Sequence, residues 1–222
     1  LQSQINPHFL YNTLDSIIWM AEGRKYEEVV LMTASLARLL RQSISNEDEV
    51  VPLAREVEYA KGYLTIQKMR YKDKLEFEID VEPSILNIPL IKLVLQPIIE
   101  NAIYHGLKYK ESKGLLQVKG FMKDGNAVLQ VIDNGVGMDE ETLSHIYDKH
   151  KVNYHSNGVG VYNVQKRLKL YYGENYGITY ESEKGVGNTA TITLPGIQEE
   201  SICKIIENSL LLEWSSALWR CL

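Results

Sequence analysis

At Leu75 the hydrophobic period changes from 3.6 to 2, which divides the chain into a helical part and a part built on strands. Before the switch, Phe9, Leu10, Leu14, Ile17, Ile18 and Ala21 recur at helical spacing, and Gly23 supplies a stop. A second helix is predicted over about residues 26–44, with Val29, Thr33, Leu36, Leu40 and Ile44 on one stripe. A third is predicted from Pro52, with Leu53, Val57, Ala60, Leu64 and Tyr71 inward and Arg55, Glu56, Glu58, Lys61, Lys68 and Arg70 outward. Amphipathic helices on short turns cannot bury their stripes alone, so they are expected to form a hairpin and to pair with a second copy as a homodimer.

After the switch, Leu75, Phe77, Ile79 and Val81 alternate with Glu76, Glu78, Asp80 and Glu82, the pattern of a half-buried strand. Pro89 is predicted to open a helix running to about Leu107. Two strands follow, 115–122 and 127–133, joined by the hairpin signal Lys123-Asp124-Gly125-Asn126. The polar stretch 138–157 reads as a loop or a loop with a short helix. A helix over 161–172 and strands over 178–182 and 189–194 complete the pattern. The resulting class is α+β: a helical segment followed by a sandwich in which helices cover one face of a mixed sheet. The expected divisions are 1–71, 72–196 and a tail over 197–222.

With 24 Lys+Arg against 29 Asp+Glu, the chain lacks the basic footprint that general affinity for nucleic acid requires. Two Cys in 222 residues suit a reducing compartment. The apolar stretch 85–99 is broken by Asn87, Pro89, Lys92, Gln96 and Pro97, so no uninterrupted membrane span is expected. The start resembles no signal peptide and lacks Met, and the chain is read as part of a longer one, so that any membrane anchor is to be sought upstream.

Three Gly-x-Gly pairs stand out, Gly135/Gly137, Gly158/Gly160 and Gly185/Gly187. Each is compatible with a plain turn. Gly135 and Gly137, however, follow a strand in Asp133-Asn134-Gly135-Val136-Gly137, while Gly158 and Gly160 precede a helix, where free N–H groups and the dipole favour phosphate. No P-loop and no dinucleotide fingerprint occurs. Glu100, Asn101 and His105 form a polar group on an otherwise apolar helix, with Asn101 and His105 four apart on one face. That group is either a solvated side or a ligand-facing stripe, in which the Asn101 amide oxygen is suited to an Mg²⁺ shell completed by phosphates and water.

Glu100-Asn101 with His105-Gly106, Asp133-Asn134-Gly135-Val136-Gly137 and Asn157-Gly158-Val159-Gly160 resemble the N, G1 and G2 boxes of the ATP-binding fold shared by sensor histidine kinases, gyrases, mismatch-repair ATPases and heat-shock chaperones. The resemblance spans about residues 75–196. It implies that Asp133 accepts a hydrogen bond from the adenine amine, that Gly135 and Gly137 let the backbone approach the base, and that Gly158 and Gly160 contact the phosphates. It makes 138–157 an ATP lid and gives Asn101 and His105 places at the nucleotide. Thr189 resembles the late Gly-Thr element that supports the adenine pocket. Arg167, on the following helix, takes a structural or lid-contacting role by the resemblance, and by its own pattern is equally an ordinary exposed charge.

His8 lies in Asn6-Pro7-His8-Phe9-Leu10-Tyr11-Asn12-Thr13-Leu14. By its local surroundings alone it is a partly buried, satisfied side chain as readily as a reactive one. The segment nevertheless resembles the phosphoacceptor box of the LytS/YesM-type sensor histidine kinases. An imidazole is about three quarters neutral at pH 7 and offers a lone pair to phosphorus. The residue after His8 is Phe9 rather than an acid; the resemblance to the wider ATPase group, whose corresponding Glu activates the nucleophile, makes Glu100 the candidate base, and Asn12, one turn on, the candidate to orient the ring. The resemblance implies ATP and Mg²⁺ as cofactors, autophosphorylation on His8, and transfer to an Asp of a response regulator. It also implies a location on the cytoplasmic side of the membrane. The alternatives are an ATP-hydrolysing machine in which Glu100 activates water, and an inactive dimeric scaffold. His145, His150 and His155 recur every five residues and do not share a helix face, so no zinc site is expected. The tail contains Cys203, Cys221, Trp214 and Trp219, and is either a docking helix or foreign sequence.

Overall fold

The computed structural model describes residues 7–44, 49–146 and 158–196. Asn157, His150, His155 and the tail over 197–222 lie outside the described residues. Helices α1 (Pro7–Glu22) and α2 (Tyr26–Ile44) form the expected hairpin. Its turn is closed by Lys25 N–H donating to the Met20 carbonyl at 2.9 Å. Strand β1 (Val50–Pro52) leads directly into α3 (Leu53–Tyr71), so Pro52 ends a strand and flanks the helix.

Strand β2 (Leu75–Val81) follows, then β3 (Pro89–Ile91), which pairs antiparallel with β1 in the register Val50↔Ile91. The predicted helix from Pro89 is therefore corrected: these three residues are an edge strand, held by a partner far away in sequence. The helix starts later, as α4 (Leu95–Asn101), with Pro97 in the first turn, where a missing N–H costs nothing. It continues without a break as a π-helical segment, Ala102–Leu107.

Strands β4 (Gly114–Lys123) and β5 (Asn126–Asp133) form the hairpin, with Asp124 and Gly125 both at positive φ, +51° and +77°, as a type I′ turn requires. The short helix α5 (Glu140–Ser144) is followed by α6 (Gly158–Tyr172), β6 (Gly177–Glu183) and β7 (Gly187–Pro195). Gly158 and Gly160 thus lie in the first turn of α6 rather than ahead of it. The five-stranded sheet has the order β2-β4-β5-β7-β6, with β2 parallel to β4 and the other pairs antiparallel, which makes it mixed as expected.

Alternation along the strands sends Leu116, Val118, Leu129, Val131, Ala190 and Ile192 into one core with Ile98, Ile99 and Leu168 of the helices. The same core takes in Phe9, Leu36, Leu39, Tyr63 and Leu64 from the helical segment. Helix α3 is covered on two sides, by α2 and by α4 with β2, and so buries more than one stripe. That corrects the outward assignment of Glu56, which is only 8% exposed.

Candidate active site

Asp133 ends β5, and its carboxylate is buried in a shell of glycines. A Cβ on Gly106 would lie 2.6 Å from Asp133 Oδ1, and one on Gly135 would lie 2.6 Å from the same oxygen and 2.5 Å from the Gly106 carbonyl. Any side chain at either position displaces the carboxylate. Gly135 N–H donates to Oδ1 at 2.8 Å. Asn188 Nδ2 donates to Oδ2 at 3.1 Å and lies 3.2 Å from Oδ1. The Asn188 amide is oriented by Ser182, whose Oγ donates to Asn188 Oδ1 at 2.7 Å and accepts from Met138 N–H at 2.7 Å. Burial pushes the Asp133 carboxyl above its ordinary value, opposed by these hydrogen bonds and by the charge of Lys110.

Asn101 and Asp133 share a crevice of about 10 Å³ between α4 and the sheet, with Ile98, Ala102 and Asn188 on its walls. The Asn101 amide makes no hydrogen bond to any of the described residues. Glu100, the next residue back, is mostly buried and turned elsewhere: Gln96 Nε2 donates to its Oε1 at 2.8 Å, and its charge acts on the Tyr63 hydroxyl of α3. Burial raises the Glu100 carboxyl above its ordinary value, with the Gln96 hydrogen bond working against that shift.

His105 does not join Asn101. His105 lies in the π-helical segment, is exposed, and does not line the crevice that holds Asn101. Partial desolvation, then the neighbouring Lys108, hold its pKa below the usual imidazole value. Thr189 pairs with Ile132 and lines an open groove of about 460 Å³ together with Asp133 and Asn188, of which Asn188 is the residue that hydrogen-bonds the Asp133 carboxylate. Gly137, at φ +65°, lets the chain pass Glu183, whose carbonyl would lie 2.0 Å from a Cβ there. Gly160 packs on Pro97, 3.3 Å from a Cβ built on it, so its small size serves the crossing of α6 over α4.

His8 stands exposed in the first turn of α1, with Asn12 Nδ2 3.1 Å from its ring nitrogens. Phe9 is buried and stacks on Tyr63 at 4.9 Å. Helix α3 thus carries in Tyr63 both the contact that anchors the His8 segment and the hydroxyl that feels the Glu100 charge. Sequence reasoning passed over Gly106, Asn188, Ser182 and Glu56. Gly106 and Asn188 both lie inside motifs already singled out, which was the signal available for them.

Comparison with known proteins agrees with this geometry. The family described as Histidine kinase matches residues 1–75, and that described as Histidine kinase-, DNA gyrase B-, and HSP90-like ATPase matches residues 87–198. The chain belongs to the histidine kinases. It is 35% identical over 195 residues to the sensor histidine kinase YesM of Bacillus subtilis, covering 88% of this chain and 32% of that protein. It is 34% identical over 180 residues to the sensor protein LytS of Oceanobacillus iheyensis, covering 79% and 30%. The chain therefore spans about a third of the length of these relatives. In structure it is similar to the histidine kinase domain of a blue-light activated histidine kinase from Erythrobacter litoralis, with a TM-score of 0.50 and 12% identity over 86% of this chain and 96% of that one. It is also similar to the catalytic domain of histidine kinase ThkA, with a TM-score of 0.51 and 16% identity over 67% and 98%. These two likenesses establish the fold, and the family match identifies residues 87–198 as an ATP-binding domain of the kinase.

Proposed function

We propose that the kinase autophosphorylates His8 from ATP and passes the phosphoryl group to an aspartate of a response regulator. The observation that carries this reading is the crevice shared by Asn101 and the buried Asp133, together with an exposed His8 anchored by Phe9 on the helix next to Glu100. Asp133 is the acceptor for the adenine amine, held for that task by Asn188 and Gly135. Among the described residues no group of three or more His, Cys, Asp or Glu gathers to hold a metal. The Asn101 amide oxygen, in the crevice beside Asp133, would hold Mg²⁺ together with phosphates and water, and the ion would supply neutralisation of the phosphate charge. Gly158 and Gly160, at the start of α6, are assigned to the phosphates.

In the transfer step the lone pair of a neutral His8 ring nitrogen forms a bond to the γ-phosphorus as the bond to the β-phosphate oxygen breaks and ADP leaves. The proton of the attacked ring passes to Glu100, whose burial keeps its basicity above that of a solvated glutamate. Asn12 orients the ring. Leu14, Ile18 and Trp19 of α1 and Tyr26, Val30 and Leu31 of α2 are exposed, Trp19 by 77%, and we assign this apolar surface to pairing with a second copy in a four-helix bundle. Among the described residues no helix is long and apolar enough to cross a membrane. Attachment to the cytoplasmic side of a membrane is assigned to a part of the protein beyond this chain. The ATP-hydrolysing alternative is disfavoured by the histidine kinase match over residues 1–75.

Incubation with Mg²⁺ and γ-labelled ATP should give an acid-labile, alkali-stable label on the protein that is absent from His8→Ala. Free phosphate without protein label would establish the ATPase instead, and neither product would establish the scaffold.

A further inference from the structure

Helix α4 lacks a cap of its own. The residue flanking its start is Val94, which has no side chain able to accept from the open N–H groups, and no local capping hydrogen bond is made. The missing acceptor comes from α3, about 40 residues earlier in the chain. Glu56 Oε1 accepts from Leu93 N–H at 2.8 Å, and Oε2 accepts from Val94 N–H at 2.9 Å and Leu95 N–H at 3.1 Å. The turn so gripped is strained, with Leu93 at φ +61°, a region that a branched side chain enters only when its surroundings compel it. From the other side, Arg167 Nη2 of α6 donates to the Lys92 carbonyl at 2.7 Å. The positive guanidinium and the buried carboxylate face each other across residues 92–95, and the Arg167 charge lowers the Glu56 pKa against the larger effect of burial.

We propose that Glu56, with Arg167 opposite it, is a positioning residue for the kinase reaction: it sets the start of α4 and thereby the placement of Glu100. This rests on the reading of Glu100 as the base. The path is short and stiff. Glu100 lies five residues into an unbroken helix, about 8 Å from its first residue, so a change of angle or rotation at residues 93–95 is carried to its carboxylate. The same helix α3 supplies Tyr63, seven residues after Glu56 and therefore on the same face, and Tyr63 holds Phe9 next to the phosphoacceptor. One helix thus fixes both reacting partners, and α4 is correctly ended only while α3 is docked on it. The adenine acceptor Asp133 stands on β5, outside the helix that this grip sets, whereas Asn101 shares that helix with Glu100.

The test compares Glu56→Gln, Glu100→Gln and the double variant in the full chain by the rate of His8 labelling at saturating Mg²⁺·ATP and by ATP affinity. Glu56→Gln keeps the side-chain length but replaces one acceptor oxygen by a donor. It should slow labelling at least 10-fold while ATP affinity stays within about 3-fold of wild type. The double variant should be no more than about 2-fold slower than Glu100→Gln, because both changes act on one group. A Glu56→Gln rate equal to wild type, or losses that multiply in the double variant, would overturn the proposal. Glu100→Gln at the wild-type rate overturns the assignment of the base and this proposal with it. A slow Glu100→Gln beside a fast Glu56→Gln overturns this proposal alone. If Glu56→Gln does not fold, Arg167→Gln, at a half-buried site, carries the same expectations and the same refutations.

Discussion

Phe9 stacks on Tyr63 with ring centroids 4.9 Å and planes 30° apart, so the residue that follows the exposed His8 is locked to α3. Phe9 is 3% exposed, whereas the imidazole beside it faces solvent. The segment that carries His8 is thereby anchored through Phe9, with Asn12 beside the imidazole. Phe9→Ala should destabilise the protein by about 3 kcal/mol and slow labelling of His8, with ATP affinity unchanged. Chemical denaturation and filter-binding kinetics measure the two effects, and unchanged labelling in a folded variant would refute the anchoring role.

Glu100→Gln should lower the rate of autophosphorylation by about 100-fold or more at constant ATP affinity, the usual loss when a general base is removed. The pH dependence has a definite sign. The base acts when ionised, and burial raises its pKa above 4.5, so its contribution should disappear as pH falls through a value above that of a free glutamate. The rate ratio of wild type to Glu100→Gln, followed against pH, should therefore decline towards one on the acid side.

Gly106→Ala places a methyl group 2.6 Å from Asp133 Oδ1. Because the other neighbours of that oxygen are backbone and Asn188, the carboxylate has to turn away. The expected cost is about 1–3 kcal/mol of stability together with loss of measurable adenine-nucleotide binding. Calorimetry on the folded variant checks both, and binding of ATP at wild-type strength would contradict the proposed role of Asp133.

Asp133→Asn should separate stability from function. A carboxyl whose pKa is raised on folding binds its proton more tightly in the folded state, so stability is lost as pH climbs from 3.8 through the raised value. The variant lacks that loss. It should melt higher than wild type at neutral pH, with the advantage shrinking as pH falls, while ATP binding is abolished. A lower melting temperature at neutral pH would mean that the hydrogen bonds from Asn188 and Gly135 outweigh the cost of burial.

Most strands and helices were legible because their signals are local. The alternation Leu75 to Val81, the Asp124-Gly125 turn and the helical stripe of α2 each depend on neighbours in sequence. The failures have one cause, partners supplied from far along the chain. Pro89–Ile91 is a strand because Val50–Pro52 pairs with it, and Glu56 is buried because the open N–H groups of residues 93–95 need it. The site behaved the same way. Asp133, Gly135 and Asn101 could be named from their motifs, but the π-helical segment after Asn101, in which His105 is exposed, has no periodic signature. Nor does alternation tell which of Asn188 and Thr189 faces Asp133, since a shift of one residue exchanges the two faces.

The centre of the sheet joins β5 to β7, pairing Asn126 with Pro195 and Asp133 with Asn188. Strand β5 therefore waits for a partner some sixty residues further on, whereas α1 and α2 pack on α3, which ends at Tyr71. In a chain made from the N-terminus at about 5–20 residues per second, the hairpin bearing His8 has seconds to form before Asn188 exists to orient Asp133. On the proposed reading, the segment that accepts the phosphoryl group is made before the site that supplies it.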